Sequence, residues 1–206
     1  VNIIIPDSIP AFLEWLPGTE LITIARSNRH TASQYISEAK IIFCLDFNAP
    51  DRINDMEELL TRSDAVKILI DHHEDPVDFA DIVISESWRG SVGEMIYLFI
   101  NEVFDRSLMD SDIATALYVA IMTDTGNFSY GSSYTEIFSI AGELMRFNID
   151  KDKIFRLVYD NFTEDRMRLM GYCMQHKMVV LKKYHTAYIY ITSAELRRFK
   201  YKKGDT

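Results

Sequence analysis

Val66-Lys67-Ile68-Leu69-Ile70-Asp71-His72-His73 decides how this chain is read. Its first half is apolar and β-branched, the composition of a strand buried in a sheet. Its second half is a carboxylate followed by two imidazoles, placed where that strand should end. In an open α/β sheet the carboxyl ends of the strands border the crevice where ligands bind. Three ionisable groups in a row behind a hydrophobic run make poor core. They make good ligands for a metal or a phosphate.

Two other stretches repeat the pattern. Ile41-Ile42-Phe43-Cys44-Leu45 stops at Asp46, and Ala116-Leu117-Tyr118-Val119-Ala120-Ile121-Met122 stops at Thr123-Asp124-Thr125-Gly126. Taken singly, each has a bland reading. An aspartate after a strand is often a turn former, and paired histidines are often surface groups. Taken together they point to one site. If the three ends converge, Asp46, His72 and Asp124 line it with oxygen and nitrogen donors, which suit manganese or magnesium better than a thiolate-seeking metal.

Outward from these segments the chain alternates. Strands are expected over residues 1–5, 21–25, 41–45, 66–70 and 82–84. Short helices are expected over 9–16, 31–39 and 54–62, and strand–helix–strand in this rhythm implies βαβ units. Residues 91–104 read as a helix opened by Ser91, with Glu94 at capping-box spacing. Further helices are expected over 110–123, 134–147, 151–161 and 163–177. A hairpin around Lys183-Tyr184-His185 and a helix over 193–199 follow. Met167, Met170 and Met174 share helical spacing as core or interface filler. Lys200, Lys202 and Lys203 form a small basic cluster, with Gly204 near the end. The fold class is therefore α/β. A mostly parallel sheet is flanked by helices, followed by more helices and the start of a smaller C-terminal α/β domain.

Of 206 residues 48% are hydrophobic, enough for a sizeable core, and the net charge is −9. That charge disfavours long duplex nucleic acid, whose binding is dominated by phosphate neutralisation. A short oligonucleotide or nucleotide held through metals stays open. Cys44 and Cys173 are the only cysteines, with neither a disulfide framework nor zinc spacing. No apolar run reaches membrane-spanning length and no signal pattern appears, so a cytoplasmic protein without a membrane partner is expected.

The Asp71-His72-His73 triplet, the Leu45-Asp46 strand end and the Thr123-Asp124-Thr125-Gly126 turn resemble the motifs of the DHH phosphoesterases. The resemblance runs along the whole chain, and its spacings are most similar to the nano-RNase type, the bifunctional oligoribonucleases and phosphoadenosine-phosphate phosphatases. It implies a DHH domain over 1–150, a helical connector over 151–177 and the beginning of a DHHA1-like C-terminal domain over 178–206. The family's first motif, with paired aspartates, is expected upstream of Val1, and its Gly-Gly-Gly-His motif does not occur in this sequence.

The resemblance also implies roles. Two divalent metal ions, manganese first and magnesium as the alternative, would activate water and neutralise the phosphate. Asp46 would bridge them. His72 and Asp124 would complete the shell of one ion, while the second would depend mostly on the first motif. His73 would face the scissile phosphate, and Asp71 would hydrogen-bond an imidazole or backbone and set its tautomer. Ser91 sits where the family places a substrate-side turn, although the N-cap reading is the stronger. The implied activity is hydrolysis of short RNA oligonucleotides or of 3′-phosphoadenosine 5′-phosphate. The alternatives are a cyclic or linear dinucleotide phosphodiesterase, or a non-catalytic metal- or nucleotide-binding module if the chain is naturally this short. A homodimer is compatible with the apolar helices after Tyr134.

Overall fold

The computed structural model describes residues 1–160 and 162–201. Asn161, where one expected helix was to end, and Lys202, Lys203 and Gly204 lie outside the described residues. The chain divides into two compact units: Val1–Ile9 with Trp15–Lys151, and Pro10–Glu14 with Asp152–Thr206.

The first unit carries the α/β architecture. Strands β1 (Ile3–Ile5) and β2 (Ile22–Ile24) pair in parallel. Helix α1 (Arg29–Glu38) leads to β3 (Ile41–Leu45), and the short α2 (Glu57–Thr61) leads to β4 (Val66–Asp71). Strand β5 (Ile82–Ser85) completes a parallel sheet of order β3-β4-β5. In register, Leu45 lies beside Ile70 and Asp71 beside Ser85.

Strand β4 is the centre because both of its faces are buried. Leu69 is 0% exposed and packs with Ala32 of α1, Cys44 of β3 and Leu60 of α2. Its neighbour Ile70, 1% exposed, points the other way into Val92 and Met95. Successive side chains on a strand face opposite sides, so burial on both sides demands the continuous apolar run seen in the sequence. Each such side chain contributes roughly 1.5–3 kcal/mol of burial.

Val92 and Met95 belong to α3 (Val92–Val103). Helix α4 (Ser111–Asp124) packs against α3 and α5 (Thr135–Met145), and buries Ala114, Leu117, Tyr118, Val119, Ile121 and Met122. Asp110 caps α4 by accepting the Asp112 and Ile113 backbone N–H groups. The cap fixes where the helix starts, and so which residue ends it.

Two expected helices are shorter than the hydrophobic spacing suggests. Residues 9–16 form one tight turn, Ala11–Leu13, because the segment between Pro10 and Pro17 is too short to repay helix nucleation. Residues 54–62 become a helix only from Glu57, after a 3-10 stretch over Pro50–Met56 in which Asn54 turns to φ +53°.

The second unit holds α6 (Lys151–Val158, whose first residue closes the first unit), α7 (Glu164–Tyr172) and α8 (Ser193–Arg198). It also holds an antiparallel hairpin of β6 (Met178–Leu181) and β7 (Thr186–Ile189). Glu195 closes a capping box with Thr192 and also receives the Tyr172 hydroxyl at 2.7 Å and the Lys177 ammonium at 2.9 Å. Met167, Met170 and Met174, expected as filler, are exposed. No helix among the described residues is long and apolar enough to cross a membrane.

Candidate metal centre

Strand β3 delivers Asp46 through a left-handed turn. Its backbone N–H still reaches the Ile70 carbonyl at 3.1 Å, in continuation of the ladder, but its φ is +65°. Aspartate is one of the few side-chain-bearing residues that adopt this conformation readily. Strand β4 ends alongside and delivers Asp71, His72 and His73. One Asp46 carboxylate oxygen, Oδ1, lies 3.5 Å from His72 Nε2 and 3.9 Å from His73 Nδ1. Asp46, His72 and His73 each bring one ligand atom to within 4.8 Å of the others.

The imidazoles are held by acceptors behind them. His72 Nδ1 lies 3.0 Å from the Arg89 carbonyl oxygen. A carbonyl only accepts, so Nδ1 carries the hydrogen and Nε2 is the atom turned toward Asp46. His73 Nδ1 lies 2.8 Å from Asp71 Oδ1, while Asp71 Oδ2 accepts the His73 backbone N–H at 3.2 Å. Asp71 is fully buried, and these two bonds place the second imidazole.

Asp124 ends α4. The chain reverses at once through Gly126, Asn127 and Phe128, all at positive φ, and Thr125 closes the helix with its hydroxyl on the Ile121 carbonyl. Asp124 is not part of the tight Asp46–His72–His73 trio, yet it is close enough to act electrostatically on all three. Its Oδ2 accepts the Ser91 hydroxyl at 2.7 Å. The same Ser91 oxygen accepts the Gly93 backbone N–H at 3.0 Å, so Ser91 caps α3 and orients Asp124 with one hydroxyl.

Residues 7–121 match the DHH family, N-terminal domain. The chain belongs to the DHH family. It is 25% identical over 163 residues to the bifunctional oligoribonuclease and PAP phosphatase NrnA of Bacillus subtilis, covering 79% of this chain and 50% of that protein. The probable counterpart from Streptococcus mutans is 25% identical over 169 residues, covering 82% and 52%. The chain thus spans about half the length of the curated relatives it matches. Among solved structures, an exopolyphosphatase-related protein from Bacteroides fragilis superposes with a TM-score of 0.96 at 41% identity, covering 100% of this chain and 60% of that one.

The electrostatics of this DHH site favour a bound cation. Hydrogen bonding to the Asp46 carboxylate pushes the His72 imidazole up to about 9, against partial burial, with Arg89, Asp46 and Asp124 adding to the rise. Burial raises Asp124 above the ordinary carboxylate range, and the Ser91 hydrogen bond only partly offsets this. The surrounding carboxylates favour the protonated form of His72.

By resemblance Ser91 was expected in a substrate-side turn, but sequence reasoning missed that His72 and Asp124 are oriented by the turn Trp88-Arg89-Gly90-Ser91. It supplies the Arg89 carbonyl that orients His72 and the Ser91 hydroxyl that orients Asp124. The sequence signals were the cap at Ser91 and the resemblance to the family's substrate-side turn. A backbone carbonyl leaves no residue-type signature.

Proposed function

We propose that the protein is a metal-dependent phosphoesterase that hydrolyses short RNA oligonucleotides or 3′-phosphoadenosine 5′-phosphate. The observation that carries this reading is the convergence of Asp46, His72 and His73 at the ends of two adjacent strands, in a chain whose relatives are named for those substrates. One carboxylate and two imidazoles, with a second carboxylate facing them, fit a divalent cation of the manganese or magnesium kind. Imidazole donors favour manganese of the two.

A divalent cation bound there supplies Lewis acidity, neutralising phosphoryl oxygens and activating water near neutral pH. The residues of this chain do the rest. Asp46 and His72 Nε2 would hold the cation, and Asp124, steadied by Ser91, would face the same charge. His73 donates its Nδ1–H to Asp71; with a second proton on Nε2, the doubly protonated ring would donate to a phosphate oxygen or hand that proton to the leaving oxygen. The acidic chain, at a net charge of −9, favours a short substrate over a long polyanion. A second cation is part of this proposal and would need ligands beyond the trio.

The test is a substrate panel with the full-length gene product and Mn²⁺. The panel holds dinucleotide RNA, 3′-phosphoadenosine 5′-phosphate, linear and cyclic dinucleotides, and inorganic polyphosphate. Mononucleotide or phosphate release from either of the first two supports the reading. Intact Mn²⁺ binding with turnover of neither removes it.

Metal binding will depend on pH in a set direction. Without a cation His72 keeps its proton up to about pH 9, and a metal ligand must lose it. The cation-loaded state therefore binds one proton fewer. Mn²⁺ affinity is expected to rise roughly tenfold per pH unit up to about pH 9 and then level off. Calorimetric titrations in two buffers of different ionisation enthalpy would show about one proton released at pH 7.5. No proton release would contradict the assignment of His72.

A further inference from the structure

Behind the turn that orients His72 and Asp124 sits a buried polar knot. Glu94, on the first turn of α3, is fully buried. Its carboxylate accepts the Tyr134 hydroxyl at 2.6 and 2.7 Å, across 40 positions of sequence. The Gly90 backbone N–H is shared between Glu94 Oε1 at 3.1 Å and the Tyr134 oxygen at 2.9 Å. Arg89, also buried, donates from Nε to Glu86 and faces Glu94 at 3.7 Å and Glu136 at 3.4 Å through its NH1 nitrogen. Its guanidinium lies over the Trp88 ring at 4.3 Å, and that ring meets Tyr134 edge-on.

We infer that the Glu94–Tyr134 pair is a positioning device, which sets the Arg89–Ser91 turn and through it the orientation of both His72 and Asp124. The inference rests on the metal-site reading for its consequence, and on the hydrogen bonds alone for its mechanism. Gly90 is the residue the pair grips. The residue before it presents the carbonyl to His72, and the residue after it presents the hydroxyl to Asp124. One displacement of Gly90 therefore moves both second partners together. Burial and the hydrogen bond to Glu94 hold the Tyr134 phenol up at about 12. The phenol thus keeps its proton and keeps donating. Neither group lies among the ligand atoms, so these are positioning residues, not catalytic ones.

The experiment compares Tyr134→Phe, Glu94→Gln and Glu94→Ala with the wild-type full-length protein in three measurements. The first is the slowly exchanging, downfield His72 Nδ1–H resonance in metal-free protein, which reports the bond to the Arg89 carbonyl. The second is Mn²⁺ affinity, and the third is the thermal midpoint. Tyr134→Phe is expected to broaden or shift the resonance and weaken Mn²⁺ binding about 10–100-fold, the range for partners that orient metal ligands. Glu94→Gln keeps an acceptor for both donors and is expected to fall nearer to wild type than Glu94→Ala. A Tyr134→Phe protein with a lowered midpoint but an unchanged resonance and unchanged affinity would overturn the inference, since the pair would then be structural only. If Glu94→Ala does not fold, Tyr134→Phe decides. If the wild type binds no Mn²⁺ while its resonance still depends on Tyr134, the metal reading fails and the positioning stands.

Discussion

Replacing Asp46 by asparagine is expected to leave the fold intact and to abolish most metal binding and turnover. Asparagine tolerates the left-handed conformation that residue 46 adopts, at φ +65°, so the turn after β3 has no reason to move. What changes is charge. The carboxylate oxygen 3.5 Å from His72 Nε2 becomes neutral. Partners that merely orient metal ligands are worth about 10–100-fold in affinity or activity, so loss of the ligand itself is expected to exceed about 100-fold. A second readout is independent of metal. The Asp46 hydrogen bond is the largest cause of the raised His72 pKa, so Asp46→Asn should bring that imidazole from about 9 back toward 6.5. Titration of the His72 ring resonances would measure it. An Asp46→Asn protein that keeps its Mn²⁺ affinity and its His72 pKa would show that the carboxylate is a turn former and nothing more.

The second large effect is expected at Gly90. A Cβ built there would stand 2.2 Å from the Gly131 carbonyl oxygen and 3.1 Å from both the Gly131 carbonyl carbon and the Thr125 methyl. The nearest obstacles are backbone atoms, which cannot swing aside as a long side chain can. Gly90→Ala must therefore push the turn off the loop at 131. Overpacking of this kind costs about 1–3 kcal/mol, and each kcal/mol lowers the thermal midpoint of a chain this size by roughly 2–4 °C. The displaced turn also carries the Arg89 carbonyl and the Ser91 hydroxyl away from His72 and Asp124. Mn²⁺ affinity should fall about 10–100-fold with the midpoint. Gly142→Ala is the control, because nothing lies within 4 Å of a Cβ there. Sitting inside α5, it should gain up to about 1 kcal/mol. Equal behaviour of the two variants would show that the turn has slack.

These expectations mark the line between what residue order reveals and what it hides. The strand through Ile70 was legible because burial on both faces leaves no room for polar residues, and Leu69 and Ile70 are indeed buried on opposite sides. Asp46, His72 and His73 were legible as strand ends, since charged groups following such runs can lie only at an edge. Asp124 was legible as a helix end from its neighbours Thr125 and Gly126. The left-handed backbone at Asp46 was not, because aspartate serves equally well in ordinary turns. The Glu94–Tyr134 contact was hidden for a different reason. At the third position of α3 an acid reads as a helix cap, and nothing in the sequence ties it to a phenol 40 residues away. The helix expected at residues 9–16, with Pro17 as its stop, failed because Pro10 leaves too few residues before that stop to repay nucleation.

The most direct measurement is anomalous diffraction at the manganese edge from crystals of the full-length protein grown with Mn²⁺. The expected result is a peak at bonding distance from Asp46 and His72, in the space also faced by His73 and Asp124. A map without a peak there at saturating Mn²⁺, or with the ion bound elsewhere while Asp46 and His72 stay paired only with each other, would contradict the assignment of this cluster as the metal centre.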